Sequence, residues 1–176
     1  EYQQFISEVK SLRKIYDPRT AMPKRLADRK TAILWNHENV WDIDYQRQTS
    51  QWNTWTHMFK YLEAVKRCGA PLEIIPESAD FNQYRVLVAP AFQLVDSNLI
   101  GRWTEYVKNG GHLVLTCRTG QKDRSGQLWQ AKWASPILPL IGGEILCFDL
   151  MLPDGKGTVQ MENQEYEWNN WGEVIE

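Results

Sequence analysis

Tyr84-Arg85-Val86-Leu87-Val88-Ala89, then Asp96, then Tyr106-Val107-Lys108-Asn109-Gly110-Gly111-His112-Leu113-Val114-Leu115-Thr116-Cys117 is the stretch that decides the fold. The first and last pieces are short apolar runs of strand length. Between them Asp96 stands where a helix N-cap belongs, and Leu99, Ile100, Trp103, Tyr106 and Val107 recur at helical spacing. Asn109-Gly110-Gly111 closes that helix. Strand, helix and strand in this order make a βαβ unit, whose crossover requires parallel strands.

Working outward, the pattern repeats. Thr31-Ala32-Ile33-Leu34-Trp35 reads as a buried first strand, followed by the polar stretch Asn36-His37-Glu38-Asn39. Trp52 to Arg67 reads as a helix with Trp55, Met58, Phe59, Leu62 and Val65 on one face, stopped at Cys68-Gly69-Ala70-Pro71. Leu72-Glu73-Ile74-Ile75 gives another strand, and Gly142 to Phe148 a further one. The alternation predicts an α/β fold with a parallel sheet and flanking helices. Ahead of it, residues 3–16 place Phe5, Val9, Leu12 and Ile15 on one helical face, ended by Pro18 and Pro23. Such a helix must lie on something, in this domain or in a neighbour.

The chain has 176 residues, 43% apolar and 24% charged, enough for one domain with a packed core. A net charge of −2 gives no reason to expect nucleic acid or an anionic membrane as partner. No apolar run approaches the roughly 20 residues that span a bilayer. Glu1-Tyr2-Gln3-Gln4 shows neither an initiator Met nor a signal peptide, which hides the original address. Three widely spaced cysteines, Cys68, Cys117 and Cys147, favour the cytoplasm by default, with the periplasm as alternative. They and three scattered histidines make neither a disulfide framework nor a metal site, and no cofactor motif is visible.

In an open α/β sheet, ligands bind beyond the carboxyl ends of the strands. The candidates there are Asn36, Glu38, Asn39 and Thr119. Glu38, Asp42 and Asp44 also cluster after the first strand, where solvated or capping roles are the ordinary ones. Cys117 at a strand end resembles the nucleophile elbow of class I glutamine amidotransferases. Leu115 and Thr119 are too large for a strained elbow, however, Gly120 comes one place late, and no histidine follows. Nine tryptophans, grouped as Trp35/Trp41, Trp52/Trp55, Trp129/Trp133 and Trp168/Trp171 besides Trp103, suit cores, subunit interfaces or sugar-stacking surfaces. A long loop from Arg118 to Trp133 follows the last strand of the unit quoted first.

Three segments together resemble a family. Ala32 to Trp41, Tyr84 to Asp96 and Tyr106 to Gly120 are similar, in order, to segments of family 42 glycoside hydrolases, the third being the most specific. The resemblance covers residues 30–150. It implies a flavodoxin-like or amidotransferase-like domain that holds β-galactosidase subunits together as trimers. The two catalytic glutamates of such enzymes lie in an N-terminal (β/α)8 barrel that is not recognisable here, so no catalytic residue carries over. Residues 1–29 would then be the helix and linker leaving the barrel, and 151–176 a C-terminal extension. The partners implied are two further copies and the barrel, with galactoside reached only through the parent enzyme. Trp41, Arg118, Trp129 and Trp133 are the expected contacts with subunit or barrel. A small hydrolase using Cys117 and a carbohydrate-binding module are the alternatives.

Overall fold

Thr31–Trp35 forms the central strand because its side chains are apolar on both faces, and Thr31 through Leu34 are buried. The computed structural model describes residues 2–15, 24–152 and 155–176; Pro18 and Pro23 lie outside them. Along the chain come α1 (Tyr2–Ile15), α2 (Lys24–Ala27), β1 (Thr31–Trp35), α3 (His37–Tyr45) and α4 (Thr54–Arg67). Then follow β2 (Leu72–Pro76), β3 (Val86–Ala89), α5 (Ser97–Lys108) and β4 (His112–Leu115). A single 3₁₀ turn (Ser135–Ile137), α6 (Leu138–Ile141), β5 (Ile145–Leu150), β6 (Gly157–Met161), β7 (Gln164–Trp168) and β8 (Trp171–Ile175) complete it.

Four strands make one parallel sheet in the order β2-β1-β3-β4, with Ile33 registered against both Ile74 and Val88, and Val88 against Val114. The expected α/β architecture is therefore present. Side chains alternate across the sheet. Ala32, Leu34, Leu87 and Ala89 pack with Leu99, Trp103 and Tyr106 of α5, whereas Ile33 and Val88 meet Met58 of α4. α5 starts where Asp96 caps it, the carboxylate accepting from the Leu99 N–H at 2.7 Å.

Several boundaries moved for local reasons. Asn53 caps α4, so the helix begins at Thr54 and Trp52 is left outside it, buried. The strand ahead of Cys117 stops at Leu115, because Thr116–Thr119 curl into a turn with Arg118 at positive φ. Asn36 is an N-cap, accepting from Asn39 N–H at 3.0 Å, and α3 grows from the stretch expected to be a polar strand end.

The strand expected near 142–148 exists but does not join the parallel sheet. β5 pairs antiparallel with β8, which returns from the tail to lie against it. Residues 171–175 are thus bound to β5. β6 and β7 make a hairpin of their own. In α1, Phe5, Val9 and Leu12 are exposed.

Candidate functional site

The carboxyl ends of β1 and β3, where this fold type takes ligands, are filled by the chain itself, whereas the end of β4 borders a cavity. Asn39, expected to face a ligand, is buried and accepts from the Leu94 N–H at 2.7 Å. Thr119 is buried and donates to Thr116 O at 2.7 Å. Asn36 is committed to its capping role, and Glu38 stands in solvent, 3.9 Å from Arg124. The structure brings these residues to one edge of the sheet, but Asn36, Asn39 and Thr119 spend their polar atoms on the backbone around them.

Below this edge lies a buried ionic network that sequence reasoning did not assemble. Lys122 Nζ, only 4% exposed as a residue, donates to both Asp42 oxygens at 2.9 and 3.0 Å and to Gln46 Oε1 at 2.8 Å. Gln93 Nε2 also donates to Asp42, and its Oε1 accepts from Arg118 Nε at 3.0 Å. Asp42 is thus neither solvated nor capping. Arg118 is 1% exposed; besides Gln93 it donates to Gln48 Oε1 at 2.6 Å, and its guanidinium lies 4.7 Å from the Trp171 ring centroid. The expectation that Arg118 faces a partner is corrected accordingly: its donors are used inside the chain. Its backbone N–H meets Glu173 Oε1 at 2.7 Å, and burial raises the Glu173 pKa. The partners come from α3, from the loops after α3, β3 and β4, and from β8. Such long-range pairing leaves no local sequence signal beyond the polar letters themselves.

Beside the network is a cavity of about 600 Å³ whose lining includes Trp52, His57, Tyr61, Cys117 and Trp171. It brings His57 to the wall that Cys117 shares, although the sequence places the two sixty residues apart. Burial, chiefly, and then the nearby Glu173 push the Cys117 thiol up to about 11, while burial and then Lys60 push His57 down to about 4. Both shifts favour the neutral thiol and the neutral imidazole over the charged pair. A nucleophilic thiolate–imidazolium pair does not form on those terms. Among the described residues, no cluster of three His, Cys, Asp or Glu side chains could hold a metal ion, and no helix is long and apolar enough to cross a membrane.

The outer surface shows a different feature. Five rings run in sequence across the end of β1 and over α3 and α4: Phe59, Trp55, Trp35, His37 and Trp41. Their centroids are 6.2 Å apart for Phe59–Trp55, 4.8 Å for Trp55–Trp35, 5.7 Å for Trp35–His37 and 5.9 Å for His37–Trp41. Trp41 is 66% exposed, Trp55 55% and Phe59 57%. Trp55 and Phe59 share the expected face of α4 with Met58, Leu62 and Val65, and of that face only Met58 is fully buried. Trp129 and Trp133 are half-buried, packed against the core, with Trp133 stacked on Phe148 at 5.0 Å.

These features define a class: an open α/β domain whose polar strand-end residues are bonded within the chain, with a cavity at the end of β4 and a row of exposed aromatic rings passing the end of β1. Residues 29–176 match the family described as "Beta-galactosidase trimerisation domain", and the chain belongs to that family. It is 30% identical over 145 residues to β-galactosidase BgaH of Haloferax lucentense, covering 82% of this chain and 22% of that protein. It is 26% identical over 148 residues to β-galactosidase GalA of Bacillus licheniformis, again 82% of this chain and 22% of the relative. Among solved structures, the β-galactosidase of the Antarctic haloarchaeon Halorubrum lacusprofundi superposes with a TM-score of 0.79 at 25% identity, over 84% of this chain and 22% of that one. The chain thus spans about a fifth of the length of the relatives it matches.

Proposed function

We propose that this chain is the assembly domain of a longer β-galactosidase, that it joins three copies of that enzyme, and that it supplies no catalytic group. The observation that carries this reading is the ladder of exposed rings. A contiguous aromatic surface in water is costly to leave bare, and aromatic anchors dominate protein contacts. Trp41, Trp55 and Phe59 are its contact residues. Trp129 and Trp133 show part of their rings and are the candidates for a second contact, with the catalytic (β/α)8 barrel outside this chain. The substrate class is terminal β-galactosides, bound by that barrel. The unpaired cysteines suit a cytoplasmic address.

Sedimentation velocity of the full-length protein tests the reading. Trp41→Ala with Trp55→Ala should move the boundary from trimer to monomer. Cys117→Ala should leave both assembly and galactosidase activity unchanged. A double tryptophan variant that sediments as the wild type would remove the ladder from the interface.

A further inference from the structure

The cavity at the end of β4 is lined largely by apolar side chains, Val114, Leu115, Ile137, Ile141 and Ile145 among them. Its rings are already engaged within the chain. Trp52 and Trp171 stack on each other at 4.1 Å, with His57 4.6 Å from the first and Arg118 4.7 Å from the second. A polyhydroxylated ligand would press its hydroxyls against aliphatic chains, which costs free energy for each one left unbonded. An apolar group meets no such cost. Among the described lining residues Lys60 is the one Lys or Arg; it is exposed and donates to Asn169 Oδ1 at 3.0 Å.

The outer face of α3 has the complementary character. Asn39 and Ile43 are the buried residues of this helix. Glu38, Trp41 and Tyr45, spaced by three and then four residues, share the opposite face. Trp41 is 66% exposed and Tyr45 89%. The helix carries Glu38, Asp42 and Asp44 and no Lys or Arg, and Asp42 is already paired with Lys122. Trp41 is also the last ring of the exposed ladder, so this face continues the surface already assigned to assembly.

We propose that in the assembled protein the outer face of α3 of one copy docks at the cavity beyond β4 of the next. The Trp41 and Tyr45 rings pack on its aliphatic wall, and Glu38 meets Lys60 at the rim. Glu38 is free to do so, since its contact with Arg124, at 3.9 Å, is at the outer limit of an ion pair. Asn39 and Ile43 hold the other side of α3 against its own chain, so the face is turned to a neighbour. The inference rests on the assembly reading above. It also has the form a closed ring of three requires, since a cyclic trimer joins two different patches head to tail. Aromatic anchors seated in an apolar recess supply the contact, and opposite charge at the rim sets the register.

The test uses the full-length protein and sedimentation equilibrium in about 50 and about 500 mM salt. Tyr45 and Val114 are both exposed and lie outside the ladder, so their variants separate this docking from the ladder reading. Tyr45→Ser and Val114→Gln should each weaken trimer association about tenfold at both salt concentrations. Glu38→Lys should weaken it about fivefold at low salt and little at high salt, as should Lys60→Glu. The two charge reversals combined should recover most of that loss. Unchanged association in either Tyr45→Ser or Val114→Gln, or no recovery in the combined charge variant, overturns the docking while the trimer itself stands. A wild-type protein that is monomeric overturns the assembly reading as well.

Discussion

His57 sits between the Trp52 and Tyr61 rings, at 4.6 and 5.1 Å, where burial keeps its imidazole neutral. Its folded pKa of about 4 lies below the ordinary 6.5, so between these values the unfolded chain binds more protons than the folded one. Stability is therefore full above pH 6.5 and lost as the pH falls towards about 4. From pH 7 to 4.5 the loss from this residue is about 2 to 3 kcal/mol. Urea midpoints of His57→Phe should lack that part of the acid slope; an equally steep slope would contradict the assignment. Asp42 gives a second residue-level expectation. Asp42→Ala leaves the Lys122 ammonium buried without its carboxylate and should cost about 3 kcal/mol, whereas Asp42→Ala with Lys122→Met should recover most of it. Denaturant titration of both variants checks this. Neither role was legible in the sequence. Asp42 stands among other acidic letters after a strand, and its partner lies eighty residues away. The capping residues Asp96 and Asn53, by contrast, act within three residues of themselves, and Asp96 was readable for that reason.

At the scale of elements, what could be read depended on whether the signal was local and periodic. β1, β3, β4 and α5 are apolar runs and a helical stripe bounded by caps, and they emerged close to their true limits. α3 is nine residues long with only Asn39 and Ile43 buried, too little periodic signal to separate from a loop. β6, β7 and β8 lie in an acidic tail whose alternation is diluted by charge, and β8 gains its place only by pairing with β5. The ring ladder was half legible. The tryptophans were visible as pairs, but which face of α4 turns inward was decided by the sheet. The turn before β4 offers a sharp test. A Cβ on Gly111 would come within 2.3 Å of the Tyr106 ring, which is buried and donates its hydroxyl to Tyr84 O at 3.1 Å. Gly111→Ala should therefore lower stability by about 1 to 3 kcal/mol, read as a drop in melting temperature. Gly110→Ala, strained by its positive φ but free of neighbours, should cost less.

For the whole molecule, the polar side chains at the strand ends are bonded to one another beside a cavity at the end of β4, and the outer surface is rich in exposed aromatic and apolar side chains. Arg118, Gln93, Asp42, Lys122 and Glu173 tie the loops at the strand ends into one block. A block of this kind is suited to positioning other parts of an assembly. The apolar faces of α1, of the β6–β7 hairpin and of the ring ladder are then surfaces awaiting other chains or other parts of the same chain. The sequence resemblance pointed to assembly through three segments. It could not show which side chains face outward, and Arg118 proved to be an internal strut. The most direct measurement is the mass of the full-length wild-type protein by light scattering through a dilution series. The account predicts three chain masses that persist to low concentration; a mass of one chain throughout would contradict it.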